Sequence, residues 1–212
     1  MASRRRNEAC LNWRRLRLVG VAVAAGLAIA GAWLLGPQSR GNRSDTKMQQ
    51  KQQYLRLLRV GGVRERAHAA RRLVDPLDMD WEPEAGPVVI ALRTDPSHEV
   101  RVAAAHGLIQ SLWRFGDRYD RDTQVLVLGA LGRAMTEDQV TSVRYTTAYF
   151  LASAVSALRK REPLETYWLA AKILPQYAEA GTRDADPDVA DQCQWLLSQF
   201  GDPNQGAASG PG

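Results

Sequence analysis

The sequence predicts an all-α protein in which a single transmembrane helix is followed by a short α-solenoid of about four antiparallel helix pairs. Three observations predict this architecture. Nineteen consecutive residues near the N-terminus, 18–36, contain no charged side chain. Beyond them, four helical segments repeat a similar order of apolar and small residues. Glycine and proline separate these segments from further stretches of helical apolar periodicity.

The uncharged run is predicted to be a membrane anchor. In a helix, residues 18–36 would span roughly 28 Å, which is close to the hydrocarbon thickness of a bilayer. Trp13 and Trp33 flank the run, as interfacial aromatic residues do. Six arginines lie in residues 1–17, so we expect the N-terminus in the cytoplasm and the following domain outside. The alternative is a cleaved signal peptide ending at Ala30-Gly31-Ala32, which would give a secreted protein.

The basic composition does not predict nucleic-acid binding. The formal charge is +5, and residues 1–17, with six arginines and one glutamate, carry all of that excess. The remaining chain is neutral but polarised, because 37–74 is basic and 75–212 is acidic. Anionic lipid head groups are one available counter-charge for the basic block, and a solvated face is the other interpretation. Cys10 and Cys193 would lie on opposite sides of the membrane, so no disulfide is expected.

Composition divides the chain into five parts. They are a basic cytoplasmic segment at 1–17, the transmembrane helix at 18–36, a polar linker at 37–46, the repeat domain at 47–202 and a disordered tail at 203–212. The tail is rich in glycine and proline and holds almost no apolar residues that could be buried.

Each repeated segment opens on a valine, and the valines are 37, 43 and 46 residues apart. A small residue follows four positions later, and eight positions later there is a leucine except in the first copy, which has Arg71. These positions share one face of a helix, so the pattern predicts close helix packing. The valines are Val63, Val100, Val143 and Val189, and the small residues are Ala67, Ala104, Thr147 and Cys193.

Partner helices are predicted between these segments, because each intervening stretch has its own apolar periodicity. We expect Pro175 to kink or end the last of them. Their predicted positions are 46–60, 84–94, 121–135 and 163–180.

The stretch Asp95-Pro96-Ser97-His98-Glu99-Val100-Arg101 resembles the HEAT repeat family, in particular its bacterial HEAT-like branch with the form D-P-x-x-V-R-x-x-A-A-x-x-L. Asp186-Pro187-Asp188-Val189 matches the start of the same motif. The resemblance extends over roughly residues 47–202. It implies that the arginine after each of the first three valines bonds an aspartate near a repeat start, whereas Ala190 follows the fourth valine. By resemblance, the residues of this structural ladder are Arg64, Arg101 and Arg144.

The resemblance to HEAT enzymes does not extend to their chemistry. Deoxyhypusine hydroxylase holds two irons through several His-Glu pairs, whereas this chain has only His98-Glu99. No nucleophile, phosphate-loop or zinc motif is present either. We therefore expect neither enzymatic activity nor a cofactor nor a metal. The alternative is a small HEAT-like enzyme or cofactor-binding domain of the bilin-lyase type.

A binding face is predicted from the repeat positions. If the valine, the small residue and the leucine face inward, positions two and six beyond the valine line the concave face, where aromatic residues are common anchors. The aromatic and histidine residues at these positions are His106, Tyr145, Tyr149 and Trp195. The alternative is that Trp195 caps the last repeat and that the tyrosines pack on neighbouring helices.

The predicted function is that of a membrane-anchored scaffold which binds a protein or peptide partner of the envelope on the extracytoplasmic side. A second interpretation is an accessory subunit of a larger membrane complex, with the Ala/Gly-rich anchor packed on other transmembrane helices. The sequence names neither the partner nor the oligomeric state.

Overall fold

The structure is a computed structural model that describes residues 38–75, 83–159 and 165–201. The chain divides into two units, residues 1–49 and residues 50–212, and the second unit holds nearly all of the described helices. Within the described ranges the chain forms eight α-helices and no β-strand. The predicted all-α class is therefore confirmed for this part of the chain.

Within the described ranges, one 3₁₀ turn, Gly116–Arg118, lies between the fourth and the fifth helix. The bounds of the helices are α1 Gln38–Val60, α2 Val63–Val74, α3 Ala85–Thr94, α4 His98–Phe115, α5 Arg121–Glu137, α6 Thr141–Arg159, α7 Glu165–Gly181 and α8 Pro187–Phe200.

Two of these bounds bear on expectations from the sequence. The predicted linker at 37–46 is helical from Gln38 onward. Gln38, Arg40 and Arg43 are good helix formers, and polarity argues against burial rather than against a helix. At Pro175, where a kink or an end was expected, helix α7 does not end but continues to Gly181, one residue beyond the predicted bound of 180. Leu174 and Ala178, which are both fully buried, hold the helix in place across the missing backbone hydrogen bond.

The predicted anchor at residues 18–36 lies outside the described residues, as do the segments predicted at 1–17 and 203–212. None of the helices in the described ranges combines the length and the apolar character needed to cross a bilayer.

The helices pack in two rows. Helices α2, α4, α6 and α8 form one row in which each packs on the next, and α3, α5 and α7 form the other. Each helix of the second row also packs on the even-numbered helix that follows it in the chain. The apolar core lies between the rows and is continuous. Its largest fully buried side chains include Leu73, Leu92, Leu108, Leu131, Met135, Leu174 and Leu196.

The even-numbered helices share one register counted from their first residues. The third residue is a fully buried valine in α4, α6 and α8, but it is Glu65 in α2, where the carboxylate accepts a hydrogen bond of 2.7 Å from the Gly62 N–H. Val63, which the sequence pattern placed in this position, is 37% exposed. The predicted register of the first copy is therefore wrong by two residues. With Glu65 as the reference, the buried positions four and eight residues on are Ala69 and Leu73.

The second row depends on one close approach between α5 and α7. A Cβ added at Gly132 would lie 2.6 Å from Cγ of the Tyr177 ring, whereas one added at Gly129 on the same helix would meet nothing within 4 Å. Only hydrogen at position 132 therefore lets the tyrosine ring rest on the backbone of α5.

We expect Gly132→Ala to destabilise the protein by about 1–3 kcal/mol, since the methyl group must displace the Tyr177 ring. Gly129→Ala is the matched control and should stabilise α5 by roughly 0.5–1 kcal/mol, because alanine has the higher helix propensity. Urea unfolding followed by circular dichroism measures both changes. Equal effects of the two substitutions would show that the Tyr177 ring leaves room for a methyl group at position 132.

Candidate functional site

Three arginines of the even-numbered helices each bind an aspartate that precedes the next even-numbered helix. In every case Nε and Nη2 of the guanidinium donate to the two oxygens of one carboxylate, at 2.6–3.0 Å. This fork geometry is the strong form of an arginine–carboxylate contact. We call these contacts the Arg–Asp ladder, and its pairs are Arg66–Asp95, Arg101–Asp138 and Arg144–Asp184.

The ladder is continuous, because each arginine also binds the segment before its own helix. The Nη1 group of Arg101 donates to the carbonyl of Asp95 at 2.8 Å, and that of Arg144 donates to the carbonyl of Asp138 at 2.8 Å. Each aspartate in turn accepts a hydrogen bond of 2.9 Å from the backbone N–H two residues further on. Each guanidinium thus connects the start of its own helix to the start of the next even-numbered helix.

The side chains of the ladder are mostly buried, and the pKa of one of its carboxyl groups is shifted by its arginine partner. The side chains of Arg101 and Asp138 are only 12% and 8% exposed. The hydrogen bond from Arg144 holds the pKa of Asp184 below its ordinary value, and burial opposes this effect without cancelling it. The carboxylate therefore stays charged in the folded protein, and its contribution to stability is lost only as the pH falls through that lowered pKa.

Of the ladder residues implied by the family resemblance, Arg101 and Arg144 lie in these contacts, whereas Arg64 does not. Arg64 is exposed, and Arg66 makes the contact to Asp95. The reason is the two-residue shift of the first copy, which turns Arg64 away from the following helix pair.

We expect Arg101→Gln to destabilise the protein by about 2–4 kcal/mol, because a buried carboxylate loses its partner. The same change at exposed Arg64 should stay within about 0.5 kcal/mol. Arg66→Gln should lower the melting temperature and thereby distinguish the two registers of the first copy. Thermal and urea unfolding of the three variants test this. A larger loss of stability in Arg64→Gln than in Arg66→Gln would support the register that the sequence predicted for the first copy.

The predicted binding residues come together on the even-numbered row. Rings from α4, α6 and α8 form one connected surface, which we call the aromatic strip. Ring centroids are 4.4 Å apart for His106–Phe150, 5.4 Å for Tyr149–Phe150 and 6.2 Å for both Tyr149–Trp195 and Tyr145–Tyr149. The strip thus consists of His106, Tyr145, Tyr149, Phe150 and Trp195.

The rings of the strip pack on one another and remain partly exposed to solvent. Tyr145, Tyr149 and Trp195 retain 37–42% of their surface, while His106 and Phe150 are half-buried. The tyrosines lie nearly parallel, with an angle of 12° between their rings. Such offset contacts stabilise a ring pair without requiring burial. The strip therefore combines an ordered arrangement with a free face.

Phe150 is a member of the strip that sequence reasoning missed. It lies seven residues beyond Val143, one position outside the columns used for the prediction, yet its ring links His106 to Tyr149. A single residue of helix corresponds to about 100° of rotation, so a large ring can reach a neighbouring column. The available signal was the adjacent pair Tyr149-Phe150 in the sequence.

His106 lies at the more polar end of the strip. Its Nε2 is 3.1 Å from the amide nitrogen of Gln110, and the two residues line an open groove of about 340 Å³ with Trp113, Arg114 and Phe150. Burial lowers the pKa of His106, and the charges of Arg71 and Arg114 lower it further. The imidazole is therefore neutral at pH 7 and does not add to the charge of the two arginines.

The thiol of Cys193 and the hydroxyl of Tyr119 lie in the core. Cys193 is fully buried, and burial raises the pKa of its thiol to about 11, so it is no nucleophile at neutral pH. Tyr119 bonds Ser111 at 2.6 Å within the core, and burial raises its pKa to about 12. Across the described ranges, no three His, Cys, Asp or Glu side chains are placed to hold a metal ion.

No protein-family model matches the chain, and no curated protein matches it either.

The environment of His106 predicts a pH dependence. Its folded pKa lies below the unfolded value of about 6.5, so the unfolded chain binds the proton first as the pH falls. Stability should therefore decrease from about pH 6.5 downward until the folded pKa is passed. Urea unfolding between pH 8 and pH 5 should show a smaller decrease for His106→Gln than for the natural chain. The same change at exposed His98 is the control. If His98→Gln made the decrease in stability equally small, His106 would not be the source of the pH dependence.

Proposed function

We propose that this protein is a membrane-anchored, non-enzymatic scaffold whose HEAT-type α-solenoid binds a protein or peptide partner through the aromatic strip on the extracytoplasmic side. The observation that carries the proposal is the strip itself, in which five rings from three successive even-numbered helices form one half-exposed surface. Exposed tyrosine and tryptophan in such clusters are the commonest anchors of protein interfaces.

The two-row packing supports the solenoid part of the proposal. A row in which each helix contacts mainly the next is the arrangement expected of stacked repeats. The Arg–Asp ladder supports the HEAT resemblance, because it joins consecutive helix pairs through an arginine at one position of each even-numbered helix. On this proposal the strip lies along the concave side of the stack.

The membrane part of the proposal is supported by the sequence. Residues 18–36 are uncharged and match the thickness of a bilayer, and the arginines in 1–17 favour a cytoplasmic N-terminus. The repeat domain would then be held at the outer surface of the cytoplasmic membrane, where envelope proteins and peptides are available.

The experiment that tests the function is proximity labelling in intact cells, with the labelling enzyme fused to the C-terminus of the full chain. We expect extracytoplasmic proteins to be labelled. Trp195→Ala and Tyr149→Ala should reduce the capture of the main labelled partner by at least about tenfold, as for interface hot spots. Both variants should keep a nearly unchanged melting temperature, because neither ring belongs to the buried core.

Trp168→Ala is the matched control, since Trp168 is 55% exposed but lies on α7 in the other row. Labelling confined to cytoplasmic proteins would overturn the orientation. Equal capture by all three variants would remove the strip as the binding surface. A parallel loss of capture and melting temperature at Trp195 would show that its role is packing.

A further inference from the structure

The corrected register of α2 adds a residue to the column that forms the strip. The column consists of the residue that lies six positions beyond the third residue of each even-numbered helix. With the corrected register, its members are Arg71, His106, Tyr149 and Trp195. The sequence-based register had placed Ala69 there, and Ala69 is fully buried. The column therefore runs from a cation, through a neutral imidazole, to a phenol and an indole.

The aromatic part of this column offers hydrogen-bond donors. Within the described residues, the hydroxyl groups of Tyr145 and Tyr149 and the indole N–H of Trp195 have no hydrogen-bond partner. An indole can only donate, and a phenol at neutral pH donates readily. A ligand that presents many acceptors and few donors satisfies such a surface best. Proline-containing chains are of this kind, because proline keeps its carbonyl and lacks an N–H.

The other modes of peptide binding fit the strip less well. Strand addition needs an exposed sheet edge, and the described part of the chain has no strand. An amphipathic helix binds in a hydrophobic groove, whereas Tyr145, Tyr149 and Trp195 form an exposed row of rings with polar groups. A polyproline-II segment docks on aromatic rings, and its stiffness reduces the entropy lost on binding.

The other end of the column carries positive charge. Arg71 is exposed and makes no ion pair within the described residues, and Arg114 has the Asp75 carboxylate only at 3.8 Å, beyond hydrogen-bond distance. Arg114 lines the groove beside His106, and Arg71 precedes His106 in the column. Each guanidinium can therefore donate charge-assisted hydrogen bonds to an added carboxylate.

We propose that the aromatic strip binds an extended polyproline-II peptide whose prolines contact Tyr149 and Trp195 and whose acidic side chain pairs with Arg71 and Arg114. The inference rests on the proposed function and specifies the partner. Centroid contacts of 6.2, 5.4 and 4.4 Å join Trp195 to His106 through Tyr149 and Phe150, so one extended segment can follow the strip.

The test is selection from a random twelve-residue peptide library by the full chain in nanodiscs of phosphatidylcholine, after removal of peptides that bind the Trp195→Ala variant. We expect the enriched peptides to hold at least two prolines and an Asp or Glu on one side of them. Fluorescence anisotropy then measures the affinity of one enriched peptide. Its proline-to-alanine form and the Arg114→Gln protein should each bind at least about tenfold more weakly, and Trp168→Ala should bind equally well.

A coupling measurement completes the test. If the acidic side chain pairs with Arg114, changing it to its amide should weaken binding to the natural protein but have little further effect on Arg114→Gln. Enriched peptides without proline, or without an acidic residue, would overturn this inference while leaving a peptide-binding scaffold in place. Failure to enrich any peptide over the Trp195→Ala variant would overturn the inference and also count against the strip as the binding surface.

Discussion

The forked contact between an arginine of one even-numbered helix and the aspartate before the next is the constraint on which the rest of the structure depends. The even-numbered helices meet through small buried residues such as Ala104 and Thr147, and small apolar contacts alone set no unique offset between neighbouring helices. A guanidinium that binds both carboxylate oxygens at 2.7 and 2.9 Å, as in Arg101–Asp138, allows one relative position only. We expect the ladder to determine register more than it adds net stability.

The aromatic strip is a consequence of that register. His106, Tyr149 and Trp195 are 43 and 46 residues apart in the sequence, yet each lies six residues beyond the third position of its helix. Because the ladder fixes equivalent helix starts side by side, equivalent positions further along the helices become lateral neighbours. A slip of one helix by a single turn would move each ring by about 5.4 Å and separate contacts that now measure 4.4–6.2 Å.

The sequence predicted the helices well and their register less well. Apolar periodicity located α3, α5 and α7 to within a few residues, because that periodicity is what each helix buries. It failed in α2, where Glu65 caps the helix at the position that holds a buried valine elsewhere, and the nearby but exposed Val63 gave the wrong reference. It also missed the helical start of α1, since polar composition alone does not distinguish a solvated helix from a linker.

Folding and binding use different positions of the same helices. In α6, Val143, Thr147 and Leu151 face the core, while Tyr145 and Tyr149 lie between them in sequence and stay on the free side. Substitutions on the free side therefore leave the ladder and the core intact, and the chemistry of the strip can be set independently of the fold.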